Sequence, residues 1–317
     1  MTPLLRRWAV ITCSLLASLI APSAWSKDCA PPFTLPTEAA LTAVAQQAQD
    51  RGFLWKISKQ DSTSYLYGTM HLGRLDWWAP GPRVTAALES SRVLALEMDL
   101  SDNATATKLT QGMRAKENDP RLPSELAARL RQQAEAECLD WQPLQNLRPE
   151  FQLSTVLVMS ARRQQLEAAY GAETMLTALA RRQGKPIHAL ETVDEQLHAL
   201  QASDAAELKE MIESSLKDME AGKGQEILVK LATAWAARDA TALQSYDQWC
   251  DCMESEAERA MSRRLLDDRN QVLAGRINAL HSASGPVFVA VGALHMFGPS
   301  GLPALMKALG YTVETVF

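Results

Sequence analysis

Tyr65-Leu66-Tyr67-Gly68-Thr69-Met70-His71-Leu72-Gly73 begins as an aromatic, β-prone run, halts at Gly68 and sets a histidine three residues on. Val287-Phe288-Val289-Ala290-Val291-Gly292-Ala293-Leu294-His295-Met296-Phe297-Gly298 repeats the design more than 200 residues later. Each copy reads as an apolar strand, then Gly-x-x-His, then a second glycine. Open α/β sheets gather their ligands at the carboxyl ends of strands. The two copies therefore predict one site assembled from both ends of the chain, and an α/β fold (mixed α+β) in which those ends build a central, mostly parallel sheet.

Working outward, Phe53 to Ser58 and Ser64 to Gly68 read as a hairpin across a polar turn. Arg92 to Leu96 is a short apolar run of the buried parallel kind, and Pro186 to Leu190 reads as the next strand. Both end in a carboxylate, Glu97 and Glu191. Val287 to Val291 is the last buried strand, and Tyr311 to Phe317 a closing one. A helix is predicted from Glu38 to Asp50 behind Thr37, and another from Pro82 to Ser90. The stretches of about 104–184 and 200–282 are mainly helical, a large insertion into the α/β unit. The clearest helical pieces are Leu153 to Leu166 and Thr174 to Arg182; between the two stretches Thr192 opens a helix with Glu195 at capping-box spacing, and an Asp204/Glu207 box precedes Ala205 to Ala221. Ala240 to Trp249 and a long helix from about Glu254 to His281 complete them. One domain over 27–317 fits better than two in tandem, because the two Gly-x-x-His pieces must meet.

Residues 1–26 read as a signal peptide. Arg6 and Arg7 precede an apolar run from Trp8 to Ile20, too short to span a bilayer with ease, and Ala24-Trp25-Ser26 offers a cleavage site. The expected location is periplasmic or secreted, with no transmembrane segment after cleavage. Loss of Arg6 and Arg7 takes the formal charge from −5 to −7. That acidity argues against nucleic acid as a partner. Four cysteines remain, Cys29, Cys138, Cys250 and Cys252, an even count that reads as two disulfides in an oxidising compartment. Cys250-Asp251-Cys252 is tight for a self-bridge, so each is expected to pair with Cys29 or Cys138, in either order.

Four predicted strands thus end in His71, Glu97, Glu191 and His295. Two imidazoles and two carboxylates are a ligand set for a divalent transition metal. A carboxylate there can also orient a histidine or act as general base. Hydrogen-bonded structural histidines, and carboxylates that cap helices or form ion pairs, are the alternatives. Arg269 could clamp a carboxylate bidentately, with a surface ion pair as its alternative. His188 reads as structural, and His198 and His281 as surface residues on helices. No nucleophile elbow, P-loop or dinucleotide fingerprint is present.

Taken in order, the Tyr65 to Gly73 stretch, Ala95-Leu96-Glu97-Met98-Asp99, Ala189-Leu190-Glu191-Thr192 with Glu195-Gln196, Asp268-Arg269-Asn270 and Val291 to His295 running on to Tyr311 resemble the TraB/GumN (TraB/PrgY/GumN) family. Its animal relatives include the Tiki metalloproteases. Gly171-Ala172-Glu173 stands where the family tends to have Gly-x-Asp. The resemblance implies a metal-dependent hydrolase, peptidase-like, using manganese or cobalt; the ligand set also admits zinc, and the signal peptide makes it an exported one. His71 and His295 would hold the ion, with Glu97 and Glu191 completing the shell or activating water. Arg269 and Asn270 would position the substrate or the oxyanion. The alternative is a non-catalytic periplasmic protein that sequesters a peptide, haem or another small ligand.

Overall fold

Six strands form one sheet in the computed structural model, which describes residues 29–317. They are Phe53–Lys59 (β1), Ser62–Thr69 (β2), Val93–Leu96 (β3), Ile187–Ala189 (β4), Val287–Gly292 (β5) and Thr312–Thr315 (β6), in the order β4-β3-β5-β2-β1-β6. β4, β3, β5 and β2 run parallel; β1 pairs antiparallel with β2 and with β6. The signal peptide expected over residues 1–26 lies outside the described residues.

The order follows from apolarity. β5 is buried from Val287 to Val291, as a strand covered on both faces must be. It inserts between β3 (Leu94↔Phe288) and β2 (Leu66↔Val289), although more than 190 residues separate it from either. β1 and β2 join through a two-residue turn in which Gln60 takes φ 52°. The central sheet drawn from both ends is thereby present, with helices filling the chain between β3 and β5 apart from the short strand β4. Three of these helices, Ser124–Ala136, Pro149–Ser160 and Ala205–Glu220, bury a leucine-rich core of their own around Leu130, Val156 and Ile212. Among the described residues, no helix is long and apolar enough to cross a membrane.

Several boundaries differ from expectation. The first helix stops at Gln46 rather than Asp50, because Asp50 accepts from the backbone N–H of Arg83 and Val84 and caps the Pro82–Ser90 helix instead. The long helix expected from Glu254 to His281 is two, Glu256–Leu265 and Asp267–Ser284, broken at Leu266. Arg263 and Arg264 suit the end of the first, and Asp267 and Asp268 the start of the second, by the helix dipole. Ala240 to Trp249 likewise divides into Ala240–Gln244 and Tyr246–Trp249. The Asp204/Glu207 box is half made: Asp204 caps the helix, while Glu207 turns to Ser203 and Arg264.

The cysteines correct the expected pairing. Cys29 bonds to Cys138, and Cys250 to Cys252 across a single residue. The tight ring closes because Asp251 adopts a left-handed φ of 51°, a conformation that Asp tolerates better than most residues. His281, expected at the surface, is buried; its Nδ1 lies 2.7 Å from the Ser64 hydroxyl, which also accepts from the Val287 N–H and ties the Asp267–Ser284 helix to the sheet.

Candidate functional site

The His71 loop is held from outside the sheet. Gly73 and Glu167 exchange backbone hydrogen bonds of 3.1 and 2.8 Å, and the Ala172 N–H donates to the Met70 carbonyl at 2.9 Å. The approach is so close that a Cβ on Gly73 would fall 2.1 Å from the Tyr170 carbonyl oxygen, and one on Gly171 2.4 Å from that of His71. The two glycines let the loop and the start of the Ala172–Arg182 helix touch. That contact sets Glu173 Oε1 2.9 Å from Nδ1 of His71, and the Thr69 hydroxyl donates to the same oxygen. Attraction to Glu173 raises His71 to about 9, against the lowering effect of its surroundings. With 71% of the ring side chain open to water, solvent weakens that pull.

Glu97 and Glu191 stand side by side because the β3–β4 ladder runs past the strands: the Leu190 N–H donates to Leu96 O (2.7 Å) and the Glu191 N–H to Glu97 O (2.9 Å). Two adjacent carboxylates repel unless a cation sits between them. Arg269 supplies it. Its Nη2 is 2.6 Å from Oε2 of both glutamates and its Nε 2.9 Å from Glu191 Oε1, a bidentate clamp on Glu191. Arg269 Nη1 donates to the Leu265 carbonyl at the helix break, which anchors the guanidinium. The Gln196 amide donates to both carboxylates, at 3.0 and 2.8 Å. Glu97 Oε1 accepts the Gly292 N–H at 2.7 Å. Burial alone would raise the Glu97 pKa, but neighbouring positive charge and that N–H hold it well below the usual carboxylate range.

Burial lowers His295 to about 4, so at neutral pH the charges acting on Glu97 are those of Arg269 and His71. His295 sits in the turn after β5, and its Nδ1 is 2.7 Å from Oδ1 of Asn270. Asn270 is buried next to Arg269, with its amide nitrogen directed at the carbonyls of Ser300 (2.9 Å) and His295 (3.3 Å).

A cleft of about 470 Å³ opens at these strand ends, lined by His71, Glu97, Glu173 and Gln196 on its polar side and by Leu96, Met98 and Leu100 on its apolar side. His71 and Glu97 therefore face the cleft, while His295, Glu191, Arg269 and Asn270 are not among its lining residues. A larger, more open hollow of about 580 Å³ beside the Lys223–Ala237 helix includes none of these residues. His188 and His198 are exposed. Two site residues escaped the sequence reading, Glu173 and Gln196. Both belong to stretches that bear on the family resemblance, Gly171-Ala172-Glu173 and Glu195-Gln196, but only the folded contact brings them into the site.

The expected donors His71, His295, Glu97 and Glu191 suit a divalent metal in kind. As arranged they do not form one shell: Arg269 closes Glu191, and Glu97 and His295 each have a protein partner. Among the described residues, no three or more His, Cys, Asp or Glu side chains are grouped so as to hold an ion.

A strand-end site of this make-up on a mixed α/β sheet coincides with a family match. The TraB/PrgY/gumN family model matches residues 53–315, from the first residue of β1 to the last of β6, and the chain belongs to that family. It is similar to "Uncharacterized protein YbaP" of Shigella flexneri, 26% identical over 254 residues that cover 77% of this chain and 88% of the relative. The protein of the same description from Escherichia coli (strain K12) is 26% identical over 253 residues, covering 77% and 87%. No solved structure matches significantly.

Proposed function

We propose that this chain is an exported, peptidase-like hydrolase whose site is the cleft at the ends of β2, β3 and β5. The observation that supports it is the His71–Glu173 pair facing the same cleft as Glu97. An imidazolium stabilised by a carboxylate is suited to donate to a carbonyl oxygen as negative charge develops there. His295 does not line the cleft but is kept neutral, so it would serve as base for water that reaches its Nε2. Arg269 fixes Glu97 and Glu191 and prevents their mutual repulsion. Manganese, cobalt or zinc is an addition to the proposal and not a requirement of it: His71, His295, Glu97 and Glu191 would have to leave their present partners to hold such an ion together. Such an ion would supply Lewis acidity. The steps given to the side chains do not depend on it.

The test is cleavage of a mixed fluorogenic peptide library by the mature protein, with and without added metal. Alanine at His71 should lower turnover by about 100-fold or more, the scale of a lost acid–base or oxyanion group. Its ring is exposed, so the variant should stay folded. Undiminished cleavage by the His71→Ala protein would sink the mechanism. A stoichiometric complex with no product would favour the sequestering alternative, for a peptide, haem or another small ligand. Metal content after loading and desalting, beside the His71→Ala/His295→Ala double variant, tests the ion separately. For export, the mature protein should begin at Lys27 by N-terminal sequencing. A chain isolated from the periplasm or medium that retains residues 1–26 would contradict the expected cleavage.

A further inference from the structure

We infer that Asn270 is a positioning residue that fixes the tautomer of His295, placing the proton on Nδ1 and leaving Nε2 unprotonated. The argument needs only donor and acceptor chemistry. The polar end of Asn270 that faces Ser300 O (2.9 Å) and His295 O (3.3 Å) meets two carbonyls, which can only accept. That end is therefore the amide nitrogen. The other end, facing Nδ1 of His295 at 2.7 Å, is then the amide oxygen, which can only accept. Nδ1 must donate. A neutral imidazole carries one proton, so Nε2 holds a lone pair. Nε2 has no hydrogen-bond partner among the described residues.

Reversing the amide would set its oxygen against two carbonyl oxygens and its NH₂ against Nδ1. Asn270 is only 2% exposed, so no water is at hand to relieve that arrangement. The backbone partners come from the two sides of one loop: His295 ends the Gly-x-x-His motif, and Ser300 precedes the Leu302–Ala308 helix. Asn270 thereby holds both the loop and the ring. In water histidine favours the other tautomer, with the proton on Nε2, so the protein imposes this one. An unprotonated Nε2 is the form that accepts a proton from water or ligates an ion. That use rests on the hydrolase reading above; the tautomer does not.

The experiment is long-range ¹H–¹⁵N correlation on histidine-labelled, chelator-treated mature protein at pH 8. His295 signals are assigned by their disappearance in His295→Gln. Wild type should show a pyrrole-type Nδ1 and a pyridine-type Nε2. Asn270→Ala should invert the pattern. Asn270→Asp, which keeps the acceptor, should retain it. A wild-type spectrum with the proton on Nε2 overturns the inference even if neither variant folds, as does an unchanged pattern in folded Asn270→Ala. If hydrolysis is found, Asn270→Ala should lower kcat far more than it changes KM, with partial recovery in Asn270→Asp. If none is found, the spectrum still decides the tautomer.

Discussion

Arg269 shows how much chemistry one side chain settles. Its guanidinium answers a buried carboxylate, Glu191, and a partly buried one, Glu97, at once, so removing it takes the cation from both. Arg269→Ala should cost about 3–5 kcal/mol of stability by urea unfolding, the range for a broken buried pair. Adding Glu191→Gln should recover part of that loss. A destabilisation below about 1 kcal/mol would mean the carboxylates find other partners. At this scale the sequence was legible in residue type. Histidines and glutamates at strand ends pointed to a polar cluster, because a carboxylate beside a buried strand is costly without a partner. Their pairing was not legible. That Arg269 serves Glu97 and Glu191, that Asn270 serves His295 and that Glu173 serves His71 depends on contacts across 172, 78, 25 and 102 residues of chain.

Among the elements, local codes translated well. The Thr192/Glu195 capping box forms as read, and Glu195 also receives Arg276 at 2.6 Å. The hydrogen bond from Arg276, with the Thr192 backbone N–H, lowers Glu195 to about 2. A depressed carboxylate contributes stability above its ordinary pKa and loses it as pH falls toward the folded value. The stability gap between wild type and Glu195→Gln should therefore be full above about pH 4.5 and fade between 4.5 and 2. Both partners are more than a third exposed, so the gap should stay below about 1 kcal/mol. Urea midpoints at pH 7, 4 and 2.5 check it; a gap that grows on acidification would refute it. Elements failed where a tertiary demand overrode the local pattern. Helical spacing continues through Leu266, yet the helix breaks there. Asp50 reads as the last residue of one helix and instead caps another.

For the whole molecule, Cys29–Cys138 spans 109 residues and fastens the start of the described chain to the turn after the Ser124–Ala136 helix. By chain entropy such a loop is worth up to about 4.7 kcal/mol, and measured losses commonly run about 2–5. The Cys29→Ser/Cys138→Ser protein should lose stability in that range while keeping the His71 cleft, since neither cysteine lies in it. An unchanged unfolding midpoint would show that the bridge constrains nothing. The sheet's make-up from both ends was legible because the Gly-x-x-His copies had to converge. Its strand order was not, because apolar runs specify burial and not neighbours. That order has a consequence in time. β5, the fifth strand to be synthesised, is also the one that fills the gap between β3 and β2. Until it emerges, the partly made chain has an open edge on each side of the gap, so it is exposed to misassembly, and it lacks His295 and the Gly292 N–H that Glu97 accepts. The strand-end cluster would thus be completed in one late step, when a single strand slides home.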